Sequence, residues 1–386
     1  MIFLVTCDTG FENILANELV ELTNGSVGQI SSGRVFIEVS SSRVIDILRS
    51  RTANNMYMLI GIYNGITRLE EIYNVIRGLE FKEFINPMQS FAIRSERIGE
   101  HSFTSIDISR VAGQAVIDSY MASRNVRLKV DLENPDIEIY VELNRDRLIV
   151  GFALLRASMH IRRYRLFTHP AALKPTIATS MLRLAKWQPA EGIVDPMCGG
   201  GTIVIEAALI SKGIEIPCIN MQHINVDMLR KVVSTVDEEL EKLCRKTMEG
   251  DYHRAHIGVD INPRFIEGST INAKNAGVDD ATLFLTGDSM KIIPKIKQIE
   301  HEFGAELSIA VFNPPYGHRM RWGKLSELYR NTLDTLKNAG FRRAVFITSA
   351  IRTAENVLAN LPYIAVDRIR VIHGTLPSYV YIVDFR

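Results

Sequence analysis

From residue 193 onward, apolar runs alternate with helical segments, and this alternation constrains the fold more than any other feature of the chain. IVDPMCGGG is followed by TIVIEAALISKG, HIGVDIN by PRFIEGSTINAKNAG, and LFLTGDS by MKIIPKIKQIEHEF. LSIAVFNPPYG then precedes KLSELYRNTLDTLKN, and RRAVFITSA precedes ENVLANL. Strands alternating with helices specify a parallel, doubly wound α/β sheet. The tail IAVDRIRVIHGTLPSYVYIVDF reads instead as two strands around a short Gly- and Pro-containing turn, an antiparallel hairpin closing the sheet edge. Residues 214–250 break the rhythm, inserting a polar stretch and a helix between the first helix and the second strand.

The N-terminal half reads differently. Residues 1–65 give strand IFLVTC, amphipathic helix FENILANELVEL, strand GRVFIEVS, helix SSRVIDILRS and strand NNMYMLIGIY. That order predicts a ferredoxin-like α+β unit with helices on one face of its sheet. Residues 66–165 form a second α+β unit: helix RLEEIYNVIRGL, strand SFAIRSERIG, a helix opened by Ser105 and Asp107, and alternating strands around the turn Asn144–Asp146. Residues 166–186, LFTHPAALKPTIATSMLRLAK, are a basic connector and helix leading into the α/β domain of 187–386.

No apolar run approaches the length that crosses a bilayer, so no membrane association is expected. The first segment is apolar for only five residues and meets Asp8 and Glu12 early, which reads as a strand and not a signal peptide. Cys7, Cys198, Cys218 and Cys244 lack CxxC spacing. No metal site is expected, and four scattered thiols predict a reducing cytoplasm. The net charge of +1 hides an asymmetry: residues 1–150 carry 15 Lys+Arg against 20 Asp+Glu, and the rest 30 against 24. Residues 151–190 hold seven cations and no acid, a phosphate-facing stripe if the protein handles nucleic acid.

Ligands of such sheets bind beyond the carboxyl ends of the strands, and four strand ends here carry unusual residues. Asp195 ends the first, ahead of Gly199, Gly200, Gly201 and Thr202, where a ligand can approach the backbone and free N–H groups of a helix start. The loop is not GxGxxG and lacks a P-loop lysine, which argues against a dehydrogenase and an NTPase. Asp260, ending the second strand, suits two vicinal ribose hydroxyls. Asp288, ending the third, could accept from an adenine amine. Asn313-Pro314-Pro315-Tyr316 ends the fourth. Two prolines cannot continue a ladder; they fix a loop that presents the Asn313 side-chain oxygen and the Pro314 carbonyl to one amino group. An exocyclic base amine is a poor nucleophile, and two fixed acceptors aim its nitrogen at an electrophilic methyl group. Tyr316 offers a face on which the base can stack.

In this order these motifs resemble the class I methyltransferases that modify amino nitrogens. The resemblance implies S-adenosylmethionine as cofactor, its methionine part held by Asp195, Cys198 and the glycine loop. It also implies that Asp260 holds the ribose and Asp288 the adenine, with Ile261, Ser289 and Asn313 also lining the cofactor site. It makes the domain Rossmann-like, with Met197-Cys198-Gly199-Gly200 replacing the commoner Phe-Cys-Gly-Ser. FAIRSERIGEHSFTSIDISRVAGQAVIDSY resembles the THUMP domain, an RNA-binding module. Combined with FTHPAALKPTIA, the whole chain is similar to the archaeal tRNA guanine-N2-methyltransferases acting on guanosine 6 of the acceptor stem. Enzymes acting on guanosine 10 of tRNA or on large-subunit rRNA share this architecture, and a non-catalytic RNA-binding protein is the reading from another class. The resemblance implies tRNA as partner, and no protein partner is expected. Because the N-terminal half is acidic overall, its RNA contacts must be local, and the candidates are Arg94, Arg97 and His101, continued by Arg162, Arg163, Arg165 and Lys174 of the basic stripe. His169 reads as a cap or packing residue, and Cys198 as a small filler and not a nucleophile.

Overall fold

The computed structural model describes residues 1–245, 255–316, 322–361 and 364–386. An N-terminal sheet comprises β1 (Ile2–Thr6), β2 (Ser26–Ser31), β3 (Arg34–Glu38), β4 (Met56–Tyr63), β5 (Ser90–Ile98), β6 (Lys129–Val130), β7 (Ile137–Asn144) and β8 (Arg147–Ala153). Helices α1 (Glu12–Thr23), α2 (Val44–Ile47), α3 (Leu69–Arg77) and α4 (Ser105–Arg124) accompany it. The strand order is β2-β3-β1-β4-β8-β7-β5-β6. The units expected at 1–65 and 66–165 thus share one continuous sheet, because β4 pairs with β1 on one side and β8 on the other. Separate sheets would leave both strands as edges with unpaired backbone groups, and joining them satisfies both. The sequence reading has no strand at 26–31; this largely exposed segment becomes one only by pairing with β3.

Alternation places Ile137, Ile139, Val141 and Leu143 of β7 in the buried core beneath the helices. Helix α4 is capped by Thr104 instead of Ser105: the Thr104 hydroxyl accepts from Asp107 N–H, and the Asp107 carboxylate accepts from Thr104 N–H. This reciprocal box satisfies two otherwise orphaned donors.

The C-terminal sheet comprises β9 (Ile193–Asp195), β10 (His256–Asp260), β11 (Thr282–Thr286), β12 (Ile309–Phe312), β13 (Arg343–Thr348), β14 (Ile364–His373) and β15 (Leu376–Phe385). Its order is β11-β10-β9-β12-β13-β15-β14. The first five of these strands in sequence run parallel, and β15 pairs antiparallel with both β13 and β14, which gives the C-terminal hairpin that the sequence pattern predicts. Helix α5 (Pro175–Leu184) leads in. Then follow α6 (Thr202–Ser211), α7 (Ile216–Ile219), α8 (Val226–Leu229), α9 (Val236–Arg245), α10 (Pro263–Ala276), α11 (Ser289–Gln298), α12 (Trp322–Asn338) and α13 (Ile351–Ala359). Strand order reverses between β9 and β12, so a crevice opens at their carboxyl ends.

The described part of the 214–250 insertion joins the two halves. Ile224 bridges Leu155, Arg156 N–H donates to the His223 carbonyl at 2.6 Å, and the Asn225 amide donates to the Asp136 carbonyl at 3.1 Å. Residues 246–250 of that expectation lie outside the described residues. Cys218 of α7 is disulfide-bonded to Cys244 of α9, which corrects the expectation of four free thiols; Cys7 and Cys198 are free and buried. The partners lie 26 residues apart, and only the packing of α7 on α9 brings their Cα atoms to 5.4 Å.

Candidate active site

The glycine loop turns tightly between β9 and α6, with the Gly201 N–H donating to the Cys198 carbonyl at 2.8 Å. Gly201 has φ +77°, and a Cβ there would stand 2.8 Å from the Ser269 Cβ and 3.0 Å from the Phe284 ring. Only glycine fits both the left-handed backbone and this close approach. Thr202 begins α6 and is buried. Burial pushes the Cys198 thiol well up, so it is inert and fills space beneath the loop, as the sequence reading has it.

Asp195 is 2% exposed, and its Oδ1 accepts from Met197 N–H at 3.0 Å. Burial pushes its carboxyl up to about 8, the Met197 N–H pulling the other way and the Asp260 carboxylate adding to the rise. Among the described residues no cation pairs with it. A buried carboxyl without a counter-charge suits a ligand that brings an ammonium group.

Asp260 does more than the sequence reading asks of it. Its Oδ2 accepts from Gly199 N–H at 3.0 Å and its Oδ1 from Asn262 N–H at 2.9 Å. The carboxylate therefore staples the glycine loop to the end of β10, and each oxygen keeps a lone pair for a further donor. Next to it Ile261 is 77% exposed, an apolar side chain projecting at the crevice. Asp288 caps α11 by accepting from Met290 N–H at 3.1 Å, which is the cap role of an Asp-Ser pair; Ser289 behind it is buried.

At the end of β12, the Asn313 Nδ2 makes a long contact of 3.4 Å to the Ala171 carbonyl of the connector. That contact turns Oδ1 the other way, where it is buried without a hydrogen-bond partner among the described residues. An orphaned buried acceptor is costly, and this one stands at the strand end that the sequence pattern assigns to holding the amine. Pro314 is buried beside it. The Tyr329 hydroxyl donates to the Pro315 carbonyl at 3.4 Å, and the Tyr316 hydroxyl meets His373 Nδ1 at 3.0 Å.

Three residues that the sequence reading does not assign to the site belong to this geometry. Asn272 of α10 ties the connector to the glycine loop: its Oδ1 accepts from Phe167 N–H at 2.9 Å, and its Nδ2 donates to the Phe167 and Gly200 carbonyls at 3.0 Å. An asparagine on the buried face of an amphipathic helix is a signal that could have found it. Ala171 and His373 carry no such signal. His169 accepts from Ala171 N–H and packs edge-on against Phe265 at 4.2 Å, the capping and packing role read from sequence.

The cations proposed for RNA divide. Arg162 is 2% exposed and donates to Glu206, itself fully buried, at 3.1 Å, with the Tyr164 and Thr179 hydroxyls on the same carboxylate. A guanidinium enclosed in this way cannot reach a phosphate, so Arg162 is a packing element and not an RNA contact. Arg94 is paired with Glu138 at 3.0 Å, and Lys174 with Asp8 at 2.6 Å. Arg97 donates to the Gly99 carbonyl near His101, whose Nε2 meets the Arg145 carbonyl at 2.6 Å. Arg165 donates to the Leu173 carbonyl, and Arg163 is exposed. Among the described residues no helix is long and apolar enough to cross a membrane, and no cluster of His, Cys, Asp and Glu could hold a metal.

Comparison with known proteins agrees with this geometry. Residues 162–377 match the RMKL-like methyltransferase domain and residues 67–152 the THUMP domain. The tRNA (guanine(6)-N2)-methyltransferase of Methanocaldococcus jannaschii is 36% identical, with 99% of each chain covered. The enzyme of the same name from Archaeoglobus fulgidus is 37% identical, covering 92% of this chain and 84% of that one. The crystal structure of TrmN from Thermus thermophilus superposes with a TM-score of 0.74 at 21% identity, covering all of both chains. Matched in both modules, and along nearly its whole length by full-length relatives, the chain belongs to the family of THUMP-containing, RMKL-like methyltransferases.

Proposed function

We propose that this protein is an S-adenosylmethionine-dependent methyltransferase forming N2-methylguanosine in tRNA, at guanosine 6 of the acceptor stem. The observation that carries the site reading is Asn313 Oδ1 at the end of β12, buried and without a hydrogen-bond partner among the described residues. Asp195 would take the ammonium of the cofactor's methionine part, Asp260 its ribose hydroxyls, and Ile261 and Asp288 its adenine. The cofactor supplies an electrophilic methyl group. Asn313 Oδ1 and the Pro314 carbonyl would accept the two hydrogens of guanine N2 and aim its lone pair, while Tyr316 stacks the base. N2 gains the methyl and sheds one proton. A stem guanosine must leave its helix to reach this crevice, at a cost of about a few kcal/mol that stacking on Tyr316 partly offsets. The N-terminal sheet, with Arg97 and His101 at its end and Arg163 and Arg165 at the connector, would hold the tRNA. We place the enzyme in the cytoplasm, acting without a protein partner.

The test is methylation of tRNA transcripts by the full chain with labelled cofactor, followed by nucleoside mass spectrometry. N2-methylguanosine should form at position 6 and be lost when that guanosine is replaced by inosine, which lacks the amine. Undiminished methylation of the inosine transcript would overturn both the target and the chemistry.

A further inference from the structure

Two prolines hold the backbone ahead of Tyr316, but they do not hold its ring. A tyrosine has two side-chain rotors, and a stacking platform is useful only if both are set before the base arrives. The far end of this ring is tethered: its hydroxyl lies 3.0 Å from Nδ1 of His373. His373 ends β14, immediately before the hairpin turn at Gly374. Burial lowers the imidazole's pKa, Asp8 pulling the other way and Lys174 adding to the fall, so the ring is neutral near pH 7 and Nδ1 can accept the phenolic proton.

The hairpin that carries His373 is itself clamped to the N-terminal half. Ile372 N–H donates to the Thr9 carbonyl at 3.0 Å. Gly10, with φ +102°, lies so close that a Cβ on it would stand 2.2 Å from the Arg370 carbonyl oxygen. Next to this contact Asp8 holds Lys174 of the connector. His373 therefore sits where the N-terminal half, the connector and the NPPY loop meet.

We propose that His373 is a positioning residue for methyl transfer: held by a hairpin clamped to the N-terminal half, it anchors the Tyr316 hydroxyl and so sets the face on which the acceptor base stacks. This rests on the reading of Tyr316 as the stacking platform. It explains why a hydroxylated ring stands at a position where stacking alone needs only a flat face.

The experiment is a double-mutant cycle in the full chain, read as the single-turnover methylation rate at saturating tRNA alongside cofactor affinity and thermal unfolding. His373→Ala and Tyr316→Phe should each slow transfer by about 3- to 10-fold, the effect of freeing one side-chain rotor. Cofactor affinity should stay unchanged. The double variant should be no slower than either single one, because both remove the same hydrogen bond. His373→Asn, whose amide oxygen can stand near the position of Nδ1, should recover most of the rate. If His373→Ala slows the Tyr316→Phe enzyme as much as the wild type, or if His373→Asn is no better than His373→Ala, the anchor is overturned. Tyr316→Ala reports on the platform separately. A wild-type rate there removes the stacking reading, whereas a slow Tyr316→Ala beside a fast His373→Ala removes only the anchor.

Discussion

Replacing Asn313 by alanine should cripple the enzyme with little effect on the stability of the protein. Among the described residues Asn313 Oδ1 is buried and unpartnered, so the folded chain carries the desolvation cost of that oxygen, about 1–3 kcal/mol. Its Nδ2 returns little, since 3.4 Å to the Ala171 carbonyl is longer than a good N–H···O bond and is worth no more than about 0.5 kcal/mol. The small void left by truncation costs about 1 kcal/mol. The sum runs from a loss of about 0.5 kcal/mol to a gain of about 1.5 kcal/mol for Asn313→Ala, against the usual loss on mutating a half-buried residue. Catalysis should move the other way. Losing one preorganised hydrogen-bonding group at the reacting centre costs about 3–4 kcal/mol, or two to three decades in rate. The assay pairs single-turnover methylation with urea unfolding, and calorimetry should find cofactor affinity nearly unchanged. Turnover within a few-fold of wild type, or a variant that unfolds at clearly lower urea, would refute the assignment of Oδ1 as a waiting acceptor.

Further predictions concern the groups around it. The Asp195 carboxyl titrates near 8 in the folded chain against an ordinary 3.8, so the folded state holds a proton that the unfolded state releases. Stability of the cofactor-free protein should therefore fall as pH rises from about 4 to about 8, and Asp195→Asn should flatten that slope in pH-dependent unfolding. An ammonium-bearing cofactor should expel the proton, so calorimetry below pH 8 in buffers of differing ionisation enthalpy should detect proton release on binding. Arg162→Ala strands the buried Glu206 carboxylate and should cost about 3–5 kcal/mol of stability, whereas Arg163→Ala should weaken tRNA binding and lower its salt slope with stability unchanged. Asn272→Ala removes three hydrogen bonds between the connector, α10 and the glycine loop; cofactor affinity should drop by about tenfold or more, and an unchanged affinity would show that the loop holds its shape alone.

Much of this molecule was legible in the one-dimensional pattern, and the reason is locality. Alternating apolar runs and helices determine a parallel sheet because each strand and its return helix are encoded within about thirty residues. The carboxyl ends of those strands must converge on one crevice, which is why Asp195, Asp260, Asp288 and Asn313 stand out in the sequence alone. Tertiary structure decided what depends on distant partners. Strand pairing across β4 and β8 fused two expected units into one sheet, and SVGQIS became a strand only beside β3. The basic stripe looked uniform in sequence, yet Glu206, 44 residues further along, draws Arg162 inside and leaves Arg163 in water. The Cys218–Cys244 bond depends in the same way on the packing of α7 against α9. Charge and hydrogen-bonding capacity belong to a residue's type and are written in the sequence. Whether that capacity is used, buried or left waiting, as at Asn313 Oδ1, depends on what the rest of the chain brings within about 3 Å of it.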